Sequence, residues 1–133
     1  MRVFLDTNVL AYQFDADSPH KRDRAISVLE NAAPDGIVST QVLLELYSVL
    51  TRKLGFSTSK AAELLGAVDL DVVGTDRTLV LDAARTAAAH QLSIWDAMIL
   101  EAAVRAGCDE LWTENLAAGT TLRGVRIVDP FQA

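Results

Sequence analysis

Val3-Phe4-Leu5-Asp6-Thr7-Asn8-Val9-Leu10 is the stretch that decides the fold. Three apolar residues run without a polar break, as in a strand buried on both faces. The run stops at a carboxylate. Asp6 or Thr7 then stands where a helix N-cap belongs, and residues 8–14 continue as a short helix. A strand that hands directly to a helix is the opening of an α/β unit.

The same alternation repeats outward from this start. Ser18-Pro19 opens a helix with an apolar stripe at Ala25, Val28, Leu29 and Ala32. Pro34-Asp35-Gly36 reads as a turn before a strand at Ile37-Val38. Helices are predicted over 41–54, ended by Gly55, and over 57–68, capped by Ser57. Asp71-Val72-Val73 is a third strand, and a helix over 76–90 carries Leu79, Leu81, Ala83 and Ala87. Ser93 caps a helix over 93–106 that stops at Gly107, followed by strands at 111–113 and 125–128. The expectation is a single domain over 1–133, a three-layer α/β/α fold with a short, mostly parallel five-stranded sheet.

Composition narrows the chemistry. The 133 residues carry a net charge of −6, half are hydrophobic, and Cys108 is the single cysteine. A lone cysteine excludes an internal disulfide and a cysteine-based zinc site, and fits a reducing compartment. The N-terminal apolar run is too short for a signal peptide, and Asp82, Arg85 and Asp96 interrupt the most apolar regions. A soluble, cytoplasmic protein without a membrane span is expected. Acidity argues against bulk electrostatic adhesion to nucleic acid, yet leaves room for a site in which acids are the working groups.

Four acids stand where a carboxylate is costly. Asp6 follows the first strand, and Glu114 follows the strand at 111–113. Asp96 falls between Ile99, Leu100 and Ala103 on a helical wheel, with Glu101 and Arg105 marking the expected solvent face. Glu45 flanks an apolar stripe near Val42 and Val49. Each has an ordinary alternative: a cap for Asp6, a capping-box acid after Ser93 for Asp96, a solvated helix edge for Glu45, a loop acid for Glu114. Taken together, converging carboxylates repel one another and call for a cation. Hard Mg²⁺ or Mn²⁺ suits oxygen ligands and phosphate substrates, which points to phosphodiester hydrolysis.

At these residues the chain resembles the PIN-domain ribonucleases, specifically the VapC-type toxins of toxin–antitoxin pairs. Phe4-Leu5-Asp6-Thr7-Asn8-Val9-Leu10 is similar to the family's opening signature. Glu45 within the helix of 41–51, Leu92-Ser93-Ile94-Trp95-Asp96-Ala97 and Leu111-Trp112-Thr113-Glu114-Asn115-Leu116 resemble its second, third and fourth motifs, and 124–131 its last strand and tail. The resemblance implies Asp6 and Asp96 as direct metal ligands, and Glu45 as a ligand through water or as the group orienting the attacking water. Asn8 and Thr113 would hold the carboxylates and a water. The fourth motif departs from the family pattern, with Asn115 where an Asp is usual; either Glu114 is the acid there or Asn115 holds a water. An RNA substrate, a homodimer and a small VapB-like antitoxin are further implications. Tyr12, Phe14, Tyr47 and Phe56 are candidates for the antitoxin's apolar groove, with ordinary core as the alternative.

Two other readings differ in class. A non-catalytic binding module with the same fold is favoured only by Asn115. An aspartyl-phosphate phosphatase also begins with an Asp after its first strand, but Asn8 occupies the place of its general acid. His20 and His90 lack metal-ligand spacing, and Cys108 reads as a buried thiol. The basic runs His20-Lys21-Arg22 with Arg24, and Arg52-Lys53, read first as solvated helix surface and only second as RNA contacts.

Overall fold

The computed structural model describes residues 1–32 and 35–132. The expected alternation is present. The first strand, β1 (Val3–Leu5), is followed by α1 (Thr7–Ala11), a 3₁₀ turn (Tyr12–Phe14) and α2 (Pro19–Ala32). Then come β2 (Gly36–Ser39), α3 (Thr40–Ser48), a π-helical turn (Val49–Lys53), α4 (Thr58–Gly66) and β3 (Asp71–Val73). The chain continues with α5 (Arg77–His90), α6 (Ile94–Arg105), β4 (Glu110–Trp112), β5 (Thr121–Leu122) and β6 (Val125–Val128). Among the described residues no helix is long and apolar enough to cross a membrane.

The sheet order is β3-β2-β1-β4-β6-β5, parallel throughout except for β5 against β6. Six strands therefore replace the expected five. The sixth, β5, was invisible as an apolar run because it is two residues long. It pairs through a two-residue hairpin loop, Arg123-Gly124, with φ of 53° and 79°. Positive φ at both loop residues is the backbone hand that matches the twist of paired strands. Gly124 adopts it freely, whereas Arg123 is a non-glycine residue at positive φ whose side chain is fixed by Glu101.

That side chain corrects another expectation. Glu101 does not mark the solvent face of α6; it is 4% exposed. Its Oε2 accepts from Thr86 Oγ1 of α5 (2.8 Å) and from Arg123 Nε (3.0 Å), and its Oε1 from Arg123 Nη2 (3.1 Å). The helix is covered on this side too, so a buried acid is tolerated only because both oxygens are paired. Leu81, read as part of an apolar stripe on α5, is exposed, while Leu79 and Ala83 are buried.

The helix predicted over 41–54 is also not uniform. After Ser48 it widens into the π turn. Thr51 Oγ1 bonds back to the carbonyl of Tyr47 (3.0 Å), and Leu54 N reaches Val49 O, five residues back (3.0 Å). A Thr hydroxyl that captures a helix carbonyl loosens the regular ladder. Gly36, read as a turn residue, instead begins β2. A Cβ there would meet Leu70 Cδ2 at 3.1 Å and Leu5 Cδ1 at 3.2 Å, so a larger residue would make these two leucines give by a few tenths of an ångström. Pro34 of that turn lies outside the described residues. The strand expected at 111–113 begins and ends one residue earlier, at 110–112.

Every residue of β1 and β2 is buried. Alternate strand residues face opposite ways, so helices cover the sheet on both sides. Phe4, Leu5, Ile37, Leu46, Leu100, Leu111 and Ile127 are among the fully buried side chains that join the layers. Phe4→Ala should destabilise the protein by about 3–5 kcal/mol, the cost of an aromatic deletion in a packed core. Urea unfolding checks this: the midpoint should fall while the slope stays unchanged.

Candidate active site

In this sheet β1 has β2 on one side and β4 on the other, and the chain leaves β1 toward β2 and returns later at β4. Such a reversal opens a crevice beyond the carboxyl ends of the two central strands. Asp6 and the segment Thr113-Glu114-Asn115 are the residues that follow β1 and β4. The backbone locks them together, with Asp6 N donating to Trp112 O (3.0 Å) and Thr113 N to Val128 O (2.9 Å).

Asp6 is buried. It is the N-cap of α1, its Oδ1 accepting from Thr7 N at 2.7 Å, so the cap reading of this residue is correct. Its Oδ2 accepts from Thr113 Oγ1, also at 2.7 Å, and Thr113 is fully buried. Thr113 Oγ1 in turn accepts from Asn115 N (3.1 Å). Asp6 is thus both cap and pocket acid. Burial raises its pKa above the ordinary carboxylate range; the bonds from Thr113 and Thr7 pull the other way, and the charges of Asp96 and Glu114 push it further up.

Asp96 enters from the first turn of α6, whose N-cap Ser93 accepts from Asp96 N (3.1 Å). Among the described residues its carboxylate has no hydrogen bond. It is half-buried at the positive end of a twelve-residue helix, where a negative charge is favoured. Glu45 projects from α3 at the rim. Its pKa is raised, first by desolvation and then by the charges of Asp6 and Asp96, while the bond from Gln41 and the nearby Thr7 hydroxyl ease it. Three acids from α3, α6 and the end of β1 therefore share one field.

Two features of this pocket carried no strong sequence signal. Gln41 Nε2 donates to Glu45 Oε1 (3.1 Å) and to Trp95 O (3.2 Å), tying the start of α3 to the start of α6. Its four-residue spacing from Glu45 is the only hint the sequence holds. Thr7 Oγ1 is buried and has no hydrogen-bond partner, the one such side-chain atom among the described residues. The outer rim is apolar, with Leu44 72% and Trp95 67% exposed.

Glu114 is arranged differently. Its Oε1 accepts from Tyr12 Oη (2.7 Å) and its Oε2 from Lys21 Nζ (2.9 Å), so both oxygens already have donors. Asn115 is exposed, and only its backbone N–H serves the pocket, through Thr113. Asn8 is half-buried; it borders a small hollow beside Tyr12 and Lys53 rather than bonding an acid. The four aromatic candidates for one groove, with ordinary core as the alternative, make separate contacts. Tyr12 packs edge-on against Phe131 (5.0 Å), and Phe14 against Phe56 (6.3 Å). Phe14, Tyr47 and Phe56 rest on the core, and Phe14 also borders an apolar hollow of about 300 Å³ with Leu10, Leu29 and Leu64. Cys108 is buried and its thiol pKa is pushed up to about 11 by desolvation, which leaves it unreactive.

The residues fit a hard divalent ion in the way Mg²⁺ is usually held. Among the described residues no group of three or more acids, histidines or cysteines is placed to hold a metal ion by itself. Mg²⁺ needs none, since it keeps several waters and takes one or two carboxylates. Asp6 and Asp96 would supply two, and Glu45 stands within their field.

A family model described as PIN domain matches residues 3–117. No curated protein matches significantly. Among solved structures, the chain is similar to a toxin–antitoxin complex from Klebsiella pneumoniae, at 21% identity and TM-score 0.75, with all of both chains covered. It is also similar to VapC20 of Mycobacterium tuberculosis, described as a Sarcin-Ricin loop cleaving toxin, at 20% identity and TM-score 0.72, covering 85% of this chain and 91% of that one. DNA-bound VapBC from Salmonella typhimurium matches at 20% identity and TM-score 0.70 over 98% of each chain. At these identities the likeness is one of fold.

The raised pKa of Asp6 has a measurable sign. Its ionised form is disfavoured in the fold, so the cost is fully present above the raised pKa and is relieved as pH falls through it. In chelator-treated protein, Asp6→Asn should therefore raise the melting temperature at neutral pH, and the gain should shrink toward acid pH. A constant or reversed difference between the two proteins across that range would contradict the assignment.

Proposed function

Because this chain belongs to the PIN domain family, we propose that it is a Mg²⁺- or Mn²⁺-dependent endoribonuclease, the VapC-type toxin of a toxin–antitoxin pair. The observation that carries the reading is the convergence of Asp6, Asp96 and Glu45 at the crevice between β1 and β4. Residues 1–133 make one nuclease domain acting in the cytoplasm. The structural neighbours include toxin–antitoxin complexes, which supports a small VapB-like antitoxin as partner, and a homodimer is the assembly we expect.

Asp6 and Asp96 would hold the ion, which when bound polarises the scissile phosphate and acidifies a water. Asp6 is kept in position by Thr7 N and Thr113 Oγ1, so the carboxylate cannot swing away as substrate arrives. Glu45, with its raised pKa and Gln41 fixing one oxygen, is suited to orient the attacking water and accept its proton. Thr7 Oγ1 lines the pocket as a spare donor or acceptor for that water. Hydrolysis would break the bond from phosphorus to one ester oxygen, leaving a phosphate monoester on one fragment and a hydroxyl on the other, the leaving oxygen taking its proton from water.

A non-catalytic module of the same fold would bind Mn²⁺ without turnover. A phosphatase would instead form a covalent adduct at Asp6, and Asn8 offers it no general acid. Incubation of a structured RNA panel with Mn²⁺ tests the assignment. Asp6→Asn and Asp96→Asn should each lower cleavage by at least about a hundredfold, the scale expected when a principal electrostatic group is lost. Both should also lose the Mn²⁺-induced rise in melting temperature while remaining folded by circular dichroism. Normal cleavage by either variant would overturn the assignment.

A further inference from the structure

Glu114 and Lys21 form a unit that the metal chemistry does not use. Lys21 lies near the start of α2, far from the acids in sequence. Its Nζ donates to Glu114 Oε2 at 2.9 Å and to Tyr12 Oη at 3.1 Å. The same ammonium stands 4.7 Å from the Tyr12 ring centroid and 5.8 Å from that of Phe131. Two aromatic faces, a phenol and a carboxylate thus hold one cation from several sides.

The hydrogen-bond inventory leaves a spare donor. An ammonium has three N–H groups. Two are used among the described residues, and the Lys21 side chain is 44% exposed. The bonds to Tyr12 and Glu114 raise its pKa, so it stays charged at every working pH. Its position is set by Glu114, the residue after Thr113, whose hydroxyl holds Asp6. Glu114 is close enough for its charge to act on Asp6. The cation therefore sits on the margin of the acidic pocket, with one N–H turned outward.

Glu114 differs from Asp6 in that one of its donors, Lys21, is itself a cation, so its charge is already met and an added ion would be repelled by the ammonium. A simpler use follows from the geometry. We propose that Tyr12, Lys21 and Glu114 form a phosphate subsite for the RNA backbone beside the acidic pocket, with Glu114 a positioning residue for Lys21 and not a metal ligand. Lys21 donates its third N–H to a non-bridging phosphate oxygen one step along the strand. The Lys21–Glu114 pair is neutral overall, so it attracts nothing at long range. It selects for a phosphate at one place, which suits a protein of net charge −6. This rests on the nuclease reading above.

The test uses the full chain in two measurements. Mn²⁺ binding is followed by calorimetry for the wild type, Asp6→Asn, Glu114→Gln and Lys21→Ala. Binding of a fluorescein-labelled single-stranded RNA of mixed sequence is followed by anisotropy in an Asp96→Asn background, with Lys21→Ala and Lys21→Arg added. Cleavage by the proteins with intact Asp96 gives kcat and KM.

Glu114→Gln and Lys21→Ala should keep wild-type Mn²⁺ affinity, which Asp6→Asn loses. Lys21→Ala should weaken RNA binding about five- to tenfold, with a shallower salt dependence, as for one lost phosphate contact. The loss should fall on KM with kcat nearly kept, and Lys21→Arg should restore much of it. Loss of Mn²⁺ affinity in Glu114→Gln would make Glu114 a ligand and overturn the proposal. Unchanged RNA affinity in Lys21→Ala would also overturn it, while leaving the nuclease reading intact. A wild-type protein that binds neither Mn²⁺ nor RNA would remove the nuclease reading, and the subsite with it.

Discussion

A carboxylate is buried at the end of a buried strand, and much of the structure answers to that. Asp6 has little access to water, so its charge must be met by fixed donors or by a cation. The backbone N–H of Thr7 and the hydroxyl of Thr113 supply two bonds, from the element that follows β1 and the strand end that lies beside it. The Thr113 bond exists only if β1 and β4 are neighbours in register, with Leu5 opposite Trp112. The sheet order is thus what makes the acid tenable, and the acid in turn marks the sheet's working edge.

Charge is handled in two ways on this molecule. Glu101 shows the complete solution, in which Thr86 and Arg123 satisfy both oxygens and nothing more is needed. Glu114 is nearly as well satisfied, by Tyr12 and Lys21. Asp6, Asp96 and Glu45 are the incomplete case, with no cation among their hydrogen-bond partners. The difference separates acids whose charge is met by a cation from acids, among the described residues, whose charge is not. It also accounts for the acidic composition: several of the excess negative charges belong to one pocket.

The parts legible in the sequence were those with a local signature. β1 announces itself as an unbroken apolar run, and Ser93 announces α6 as a cap three residues before Asp96. The acids after the strands were legible because a charge beside an apolar run is conspicuous. What was missed depends on distant partners. Glu101 looked solvent-facing because Thr86 and Arg123, fifteen and twenty-two residues away, cannot be seen on a helical wheel. The Lys21–Glu114 bond spans ninety-three residues, and Lys21 by itself is one charge in a basic run. The π turn after α3 depends on which carbonyl the Thr51 hydroxyl captures, and composition does not specify that.

The hairpin that holds Arg123 has a consequence for how copies of this chain, or other chains, can meet it. β5 is two residues long, and it closes one side of the sheet; the other side ends in β3, three residues long. Edges this short present few free N–H and C=O groups, too few to recruit a further strand. The sheet is therefore terminated at both margins from within, and the ion pair of Arg123 with Glu101 pins one of those terminators to α6. Association has to proceed through side chains on helices and loops. Recognition of a partner through shape and charge is favoured, and strand addition, the route that leads toward fibrous aggregation, is disfavoured by edges this short.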